Sequence, residues 1–440
     1  MKDVSSLLFD TSEKKKKKFG HWIGPIEVDD DSSKVVHGRG LKVTRDVQAG
    51  DCLFIIPPIL SVPVNSTSKQ YTSEKECQLV LLKDIQSCSN KKMLTCILTQ
   101  VGTPSNDDPP KTTLSIHKLT KDERMQYLLG QRSIDNVDWM KQYQLNTQHC
   151  QDIISRNAFG PDYHGYDTII ASNNNNSQSK SPYWRVLGLY PLAAMMNHSC
   201  IPNVVRVYSG NLMIAHATRN ISKGEELVWS YLPPHSMSYS QRQSLIQSTF
   251  HFTCTCPKCT LQQQQQQHNK VELKWNEQMT VKELLKTQIL YEKQITTTTT
   301  TTNNKQEEYF HRVDALSFYI HYFNVWLRQI PRKMSTMEHL LQIAKSLHEA
   351  LQATNCACTE HLSILHMSYD ISSWLHSNIP NQKSKYLPLL QYWTEQLKQT
   401  HMVRYGSLGQ NIDHIRTVMK HTRTILRQQN GIQLISYPFL

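Results

Sequence analysis

An α+β fold is the expectation, on three observations. Short apolar runs broken by tight Gly-, Asn- and Pro-containing turns occupy 35–64 and 204–231, which is the pattern of short strands. Apolar residues at helical spacing occupy stretches of the interval 66–155. From 306 to 440 the spacing is helical throughout. A chain of 440 residues is long enough for two or three domains and a sizeable core. Hydrophobic residues make up only 39%, because Gln, Asn and Thr runs dilute them.

Residues 1–34 read as a polar, Lys-rich tail, with five consecutive lysines at Lys14 to Lys18. Its first twenty residues lack the apolar centre of a signal peptide. Next comes Gly38-Arg39-Gly40-Leu41-Lys42-Val43, the turn Gln48-Ala49-Gly50-Asp51, and Cys52-Leu53-Phe54-Ile55-Ile56, closed by Pro57-Pro58. That order reads as strand, turn, strand. Glycines at 38 and 40 let the backbone pass close to a ligand, although Gly-x-Gly is more often a plain turn.

Leu79, Leu82 and Ile85 predict a helix within Lys75 to Ile97, and further helices are expected at Leu119 to Leu129 and Val137 to Ile154. Asp107-Asp108-Pro109-Pro110 and the Asn/Ser-rich 173–181 are expected loops. Leu187 to Met196 is the longest apolar stretch, and it is too short to span a bilayer. Val204 to Tyr208 and Leu212 to Thr218 predict a hairpin around Ser209-Gly210-Asn211. Gln262 to Gln267 and Thr296 to Thr302 are homopolymer tracts expected as mobile linkers within 262–305. Beyond them, Val313, Leu316, Ile320, Phe323 and Leu327 predict one helix, and Ser335 with Glu338 a capping box opening the next. Leu362, Leu365, Tyr369 and Trp374 predict another, with more at Tyr386 to Val403 and Ile412 to Ile425. Such a succession suggests stacked helical hairpins.

Cysteine chemistry narrows the function. There are 11 cysteines, an odd number, and no secretion signal is expected, so a reducing, intracellular compartment is expected. Cys254, Cys256 and Cys259 place three thiols at close spacing, suited to zinc, which takes four ligands in a tetrahedron. The fourth ligand must come from elsewhere, and Cys200 is the natural candidate. Cys356 and Cys358 lack nearby partners and are expected to be structural. The formal charge of +12 is spread along the chain. With few aromatics interleaved among Lys and Arg near the cysteines, and no recognition helix after them, direct nucleic-acid binding is not expected.

Three segments carry the strongest signal, in this order: Met195-Met196-Asn197-His198-Ser199-Cys200-Ile201-Pro202-Asn203, then Gly224 to Tyr231, then Phe250-His251-Phe252-Thr253-Cys254-Thr255-Cys256-Pro257-Lys258-Cys259. Together they resemble the C-terminal half of a SET-domain protein lysine methyltransferase with its cysteine-rich post-SET segment. Arg156-Asn157-Ala158-Phe159 resembles the segment that leads into the SET core in the SET-and-MYND (SMYD) group. Cys77, Cys88, Cys96 and Cys150 lack the paired spacing of that group's MYND zinc finger, so no such finger is expected. The SMYD family also carries a C-terminal helical domain.

The resemblance implies an organisation. A SET domain would span 35–235 with a helical insert at about 66–155, and a post-SET zinc segment 236–261 would follow. The linker 262–305 and a TPR-like helical domain 306–440 would complete it. Donor contacts to S-adenosylmethionine would come from Gly38, Arg39, Gly40, Asn157, Asn197, His198, Tyr231 and Phe252, with Phe252 against the adenine. Cys200 would complete the zinc site. Tyr231 would be the catalytic phenol, orienting amine and methyl, and Phe250 would line the lysine channel at a position that is often tyrosine in relatives. Glu225 and Glu226 read as turn and strand residues, because strand neighbours face opposite sides.

The expected activity is transfer of methyl from S-adenosylmethionine to lysine of a protein substrate, histone or non-histone. It would be carried out by a monomer in the nucleus or cytoplasm, away from membranes. The alternative is a catalytically idle SET fold serving as an interaction scaffold.

Overall fold

Alternating burial and tight turns build the N-terminal sheets. The computed structural model describes residues 22–29, 40–65, 74–87, 121–129, 147–160, 184–209, 212–232, 238–267, 278–302, 305–316, 318–319, 321–322 and 334–406. Within them the chain divides into two compact units. One comprises Met1–Asn197 with Arg206–Val228, the other His198–Val205 with Trp229–Leu440. Among the described residues no helix is long and apolar enough to cross a membrane. The lysine run, Gly38, Arg39, the loops 107–110 and 173–181, and the helix expected at 412–425 lie outside the described residues.

The first unit is built on short strands. β1 (Trp22–Ile23) and β2 (Ile26–Asp29) come from the stretch expected to be a polar tail. Ile26 and Val28 point into the core and are buried, which the neighbouring lysine run had masked. β3 (Gly40–Val43) pairs antiparallel with β2, Ile26 opposite Val43 and Asp29 opposite Gly40. β4 (Cys52–Ile56) pairs instead with β1. The expected strand–turn–strand is therefore correct element by element, but its two strands enter different sheets. Gly50 makes the turn between them at a φ of 85°, a conformation glycine adopts without cost.

β5 (Leu60–Asn65), β6 (Ala158–Phe159) and β7 (Trp184–Leu189) form a third sheet in the order β5-β7-β6. Helices α1 (Glu74–Gln86), α2 (Lys121–Leu128) and α3 (Thr147–Asn157) come from the insert. Leu81, Leu82, Ile85, Cys150, Ile153 and Ile154 pack with Val62, Leu187 and Leu189 into one core. Leu79, expected on that face, is 55% exposed. Two residues before Leu81, it sits about 200° around the helix from it.

α4 (Pro191–Ala194) opens with proline at its first position, where a missing N–H costs nothing, and delivers the chain to β8 (Asn197–His198). β9 (Val204–Ser209) and β10 (Leu212–Ala217) lie side by side, as the expected hairpin requires. β11 (Glu226–Trp229) pairs antiparallel with β3.

The second unit is helical. α5 (Tyr239–Phe250) begins with a capping box of Ser238 and Gln241 and ends at His251, left-handed at φ 60°. α6 (Pro257–Gln267) and α7 (Val281–Thr302) run through the Gln and Thr tracts, so both tracts are helical where linkers were expected. Gln is a good helix former, and a helix once nucleated extends at little cost per residue. α8 (Lys305–Asp314), α9 (Met334–Thr354), α10 (Thr359–Asn378) and α11 (Lys383–Tyr405) follow. Each of α7 to α10 packs on the helix after it. Their shared core includes Leu316, Leu340, Leu347, Leu365 and Trp393. Ser335 lies inside α9 and does not cap it, and Glu338 instead accepts from Lys385 and Tyr386 at 2.6 and 2.9 Å.

Gly24 ties the misjudged strands to the sheet. A Cβ there would lie 2.7 Å from the backbone oxygen of Leu53, closer than real contacts allow. Gly24→Ala is expected to cost roughly 1–3 kcal/mol of stability, the usual penalty for overpacking. Urea denaturation measures it, and an unchanged midpoint would contradict strands at 22–29.

Candidate functional site

His198 sits where the strongest sequence motif meets the cysteine segment of the same unit. It is 2% exposed. Its Nδ1 accepts the backbone N–H of Tyr231 at 3.0 Å, and its Nε2 lies 3.4 Å from the sulfur of Cys200. The Ser199 N–H donates to the Trp229 carbonyl at 2.9 Å, so two consecutive residues are tied to the 229–231 segment. Ser199 Oγ also accepts the Ile201 N–H at 3.0 Å, which tightens the turn that presents Cys200.

Rings gather around His198. Tyr231 lies 5.2 Å and Phe252 6.2 Å from it between centroids. Phe250 lies 4.8 Å from Tyr231, and Tyr231 and Phe252 meet edge to face at 6.4 Å. Phe250 and Phe252 flank His251, whose left-handed backbone ends α5 and reverses the chain. That single reversal sets both rings. Tyr231, Phe250 and Phe252 are half-buried, so each keeps some accessible face.

The sulfurs of Cys200, Cys254, Cys256 and Cys259 all lie within 4.8 Å of one another, with Cys200 and Cys259 at 3.6 Å. All four are free thiols. Four sulfurs placed tetrahedrally at ~2.3 Å from one ion would lie roughly 3.8 Å apart, so the arrangement fits a zinc-sized cation. Crowding splits their acidities. Hydrogen bonds with Cys200, Cys254 and Cys259 hold the Cys256 thiol well below the ordinary range, while those with Cys200, Cys256 and Cys259 push Cys254 up. Among the described residues this is the one group of three or more candidate ligands. Cys356 bonds Gln352, and Cys358 caps α10 by accepting the His361 N–H.

Two glutamines and a basic pair support the cluster, and none was singled out from the sequence. Gln243 clamps the backbone of Cys254 from both sides, at 3.0 Å to its N–H and 2.9 Å to its carbonyl. Arg242 Nη2 donates to the Cys259 sulfur at 3.9 Å and to the side-chain oxygen of Gln262. Burial opposes the charge on Arg242, but Asp314 and the sulfurs of Cys200 and Cys259 outweigh it and hold its pKa above the ordinary value. Lys258 pairs with Asp314 at 2.6 Å.

The remaining predicted residues belong to the first unit. Gly38 and Arg39 lie outside the described residues, and Gly40 opens β3. Asn157 ends α3 and donates its amide to the Ile153 carbonyl at 3.1 Å. Asn197 donates its amide to Glu226 at 2.7 Å. Glu226 thus orients Asn197, a role the sequence reading did not give it. Glu225 pairs with Arg219 at 2.5 Å, in keeping with neighbours that face apart.

Residues 38–232 match the family model of the SET domain. The N-lysine methyltransferase SMYD2 of Rattus norvegicus is 24% identical over 293 residues, 59% of this chain and 66% of that protein. SMYD2 of Gallus gallus is 34% identical over 85 residues, 19% of each chain. The match therefore spans less than two thirds of either relative. A solved structure of Rubisco LSMT bound to AdoMet is 13% identical, covers 92% of this chain and 87% of its own, and has a TM-score of 0.29, too slight a likeness to inform fold or function.

His198→Phe keeps a ring beside Tyr231 and removes the acceptor for its N–H. The expected loss is about 1–3 kcal/mol, the cost of leaving a buried donor unmatched. Chemical denaturation reads it, and wild-type stability in the variant would contradict a structural role for the imidazole.

Proposed function

We propose that the chain is a SMYD-like SET-domain protein and that it methylates the ε-amine of lysine in a protein substrate, using S-adenosylmethionine. One observation supports the reading most strongly. Three motifs separated in sequence converge in one unit as a ring cluster, buried His198 with half-buried Tyr231, Phe250 and Phe252, beside four clustered sulfurs.

Bound S-adenosylmethionine would supply a methyl group on a positively charged sulfur. The chain's own residues must do the rest. An ordinary lysine has a pKa of about 10.4, so at neutral pH nearly all of it is protonated and cannot attack. An apolar channel disfavours the charged amine and shifts it toward the free base. Phe250, 4.8 Å from Tyr231, is suited to line such a channel. The Tyr231 phenol is the candidate that orients the amine. Alignment of the reacting atoms supplies much of the acceleration in such a transfer. Phe252 offers an aromatic face to the adenine, and Gly38, Arg39, Gly40, Asn157, Asn197 and His198 are the remaining candidate donor contacts.

Cys200, Cys254, Cys256 and Cys259 are proposed as the ligands of a structural zinc ion, which would fix the backbone that follows Phe252. The division into SET domain, post-SET segment and TPR-like helical domain is part of the same reading, as is a reducing compartment, nucleus or cytoplasm, in which free thiols persist.

Tyr231→Phe is expected to lower transfer of tritiated methyl into extract proteins by about a hundredfold or more, the scale of a misaligned reaction. Calorimetric binding of S-adenosylmethionine should stay within a few-fold of wild type. Equal transfer by the two proteins would count against the phenol. Cys256→Ser should lose the stoichiometric zinc found in wild type by plasma mass spectrometry, and full retention would rule out its ligation.

A further inference from the structure

Arg242 is a buried cation aimed at the sulfur cluster. It lies within α5 and is 6% exposed. Its Nη2 points at the Cys259 sulfur, 3.9 Å away, and Nη1 lies 3.8 Å from Asp314 Oδ1. Lys258 is 4% exposed and lies in sequence between two of the clustered cysteines. Its Nζ reaches the same Asp314 oxygen at 2.6 Å. Gln262 accepts from Arg242 and donates to Asp314, closing the network. Three helices, α5, α6 and α8, are thereby joined beside the sulfurs.

Charge makes this arrangement informative. Arg and Lys are almost never fully buried unless paired, because desolvating a charge is costly. Asp314 supplies one negative charge to these two cations. Four thiolates around a divalent ion carry a formal charge of about −2, which suits a buried guanidinium beside them, whereas four neutral thiols carry none. A guanidinium N–H directed at sulfur is also far better matched to a thiolate than to a thiol. Groups one shell out from a metal orient its ligands and set its affinity.

We propose that Arg242 is an outer-sphere positioning residue of the thiolate centre: it donates an N–H to the Cys259 sulfur, complements the charge of the metal-loaded site and is held in aim by Asp314 and Gln262. This rests on the reading of the four cysteines as zinc ligands. Arg242 touches neither methyl donor nor lysine in this role, and its effect is on metal retention.

The test uses the full-length, zinc-loaded chain. Wild type, Arg242→Gln and Arg242→Lys are titrated against a chromogenic chelator. Zinc affinity should fall by about 10- to 100-fold in Arg242→Gln, the range for outer-sphere partners, with Arg242→Lys between it and wild type. Cobalt(II) is then substituted for zinc. Loss of the N–H···S bond raises the energy of the sulfur lone pair, so the thiolate-to-cobalt charge-transfer band should move to longer wavelength in Arg242→Gln. Unchanged affinity overturns the proposal. Weakened affinity with an unmoved band also overturns it, because that is the result of loosened packing alone. Should Arg242→Gln fail to fold, Arg242→Lys decides by the same two readouts. Wild type that binds no zinc removes the underlying reading, whereas zinc-bound wild type with an indifferent Arg242→Gln removes only this inference.

Discussion

Four sulfurs within 4.8 Å of one another are the constraint on which the candidate site depends. Cys200 comes from the turn after β8, and the other three from the segment that leaves α5. Holding them together fixes the chain just after Phe252 and keeps Cys200, which lies against His198, beside that segment. The imidazole then accepts the backbone N–H of Tyr231, so the position of the phenol's backbone is two contacts away from a sulfur. A structural metal in such a cluster contributes folding energy directly, since the unfolded chain holds no preformed site. The local structure agrees with that demand: a capping box starts α5, a left-handed residue stops it, and Gln243 clamps the backbone at Cys254.

The same residue types do different work elsewhere in the chain. Cys150 packs in the insert core with Leu81 and Ile153. Cys358 acts as a helix cap and Cys356 as a weak donor to Gln352. His361 and His348 share a hydrogen bond at 2.8 Å inside the helical region, and burial holds the pKa of His348 below its ordinary value. Neither a pair of close cysteines nor a buried histidine identifies a site by itself. What separates Cys200, Cys254, Cys256 and Cys259 is convergence of four sulfurs, with buried cations beside them.

Much of this was legible in the sequence where the signal is short-range. Cys254, Cys256 and Cys259 announce themselves by spacing, and Cys200 by its place in a motif. Gly50 and Gly224 mark turns because positive φ selects glycine. Long-range partners left no such trace. Glu226 meets Asn197 across 29 residues, and Arg242 meets Cys259 across 17. A glutamate in a strand and an arginine in a helix look alike whether they face solvent or a site. Strands β1 and β2 are two and four residues long beside a lysine run, too short for periodicity to outweigh composition. The Gln and Thr tracts are helical because they extend helices begun by packed residues such as Cys259 and Leu284, which composition alone does not reveal.

The central claim is that a thiolate-bound metal holds the ring cluster in the form that accepts the methyl donor. Titration calorimetry of S-adenosylmethionine into the metal-loaded chain and into the same chain stripped by chelator tests it most directly. The account predicts saturable binding to the loaded chain, its loss on stripping, and its return when zinc is restored. Equal affinity in the loaded and stripped states would contradict it.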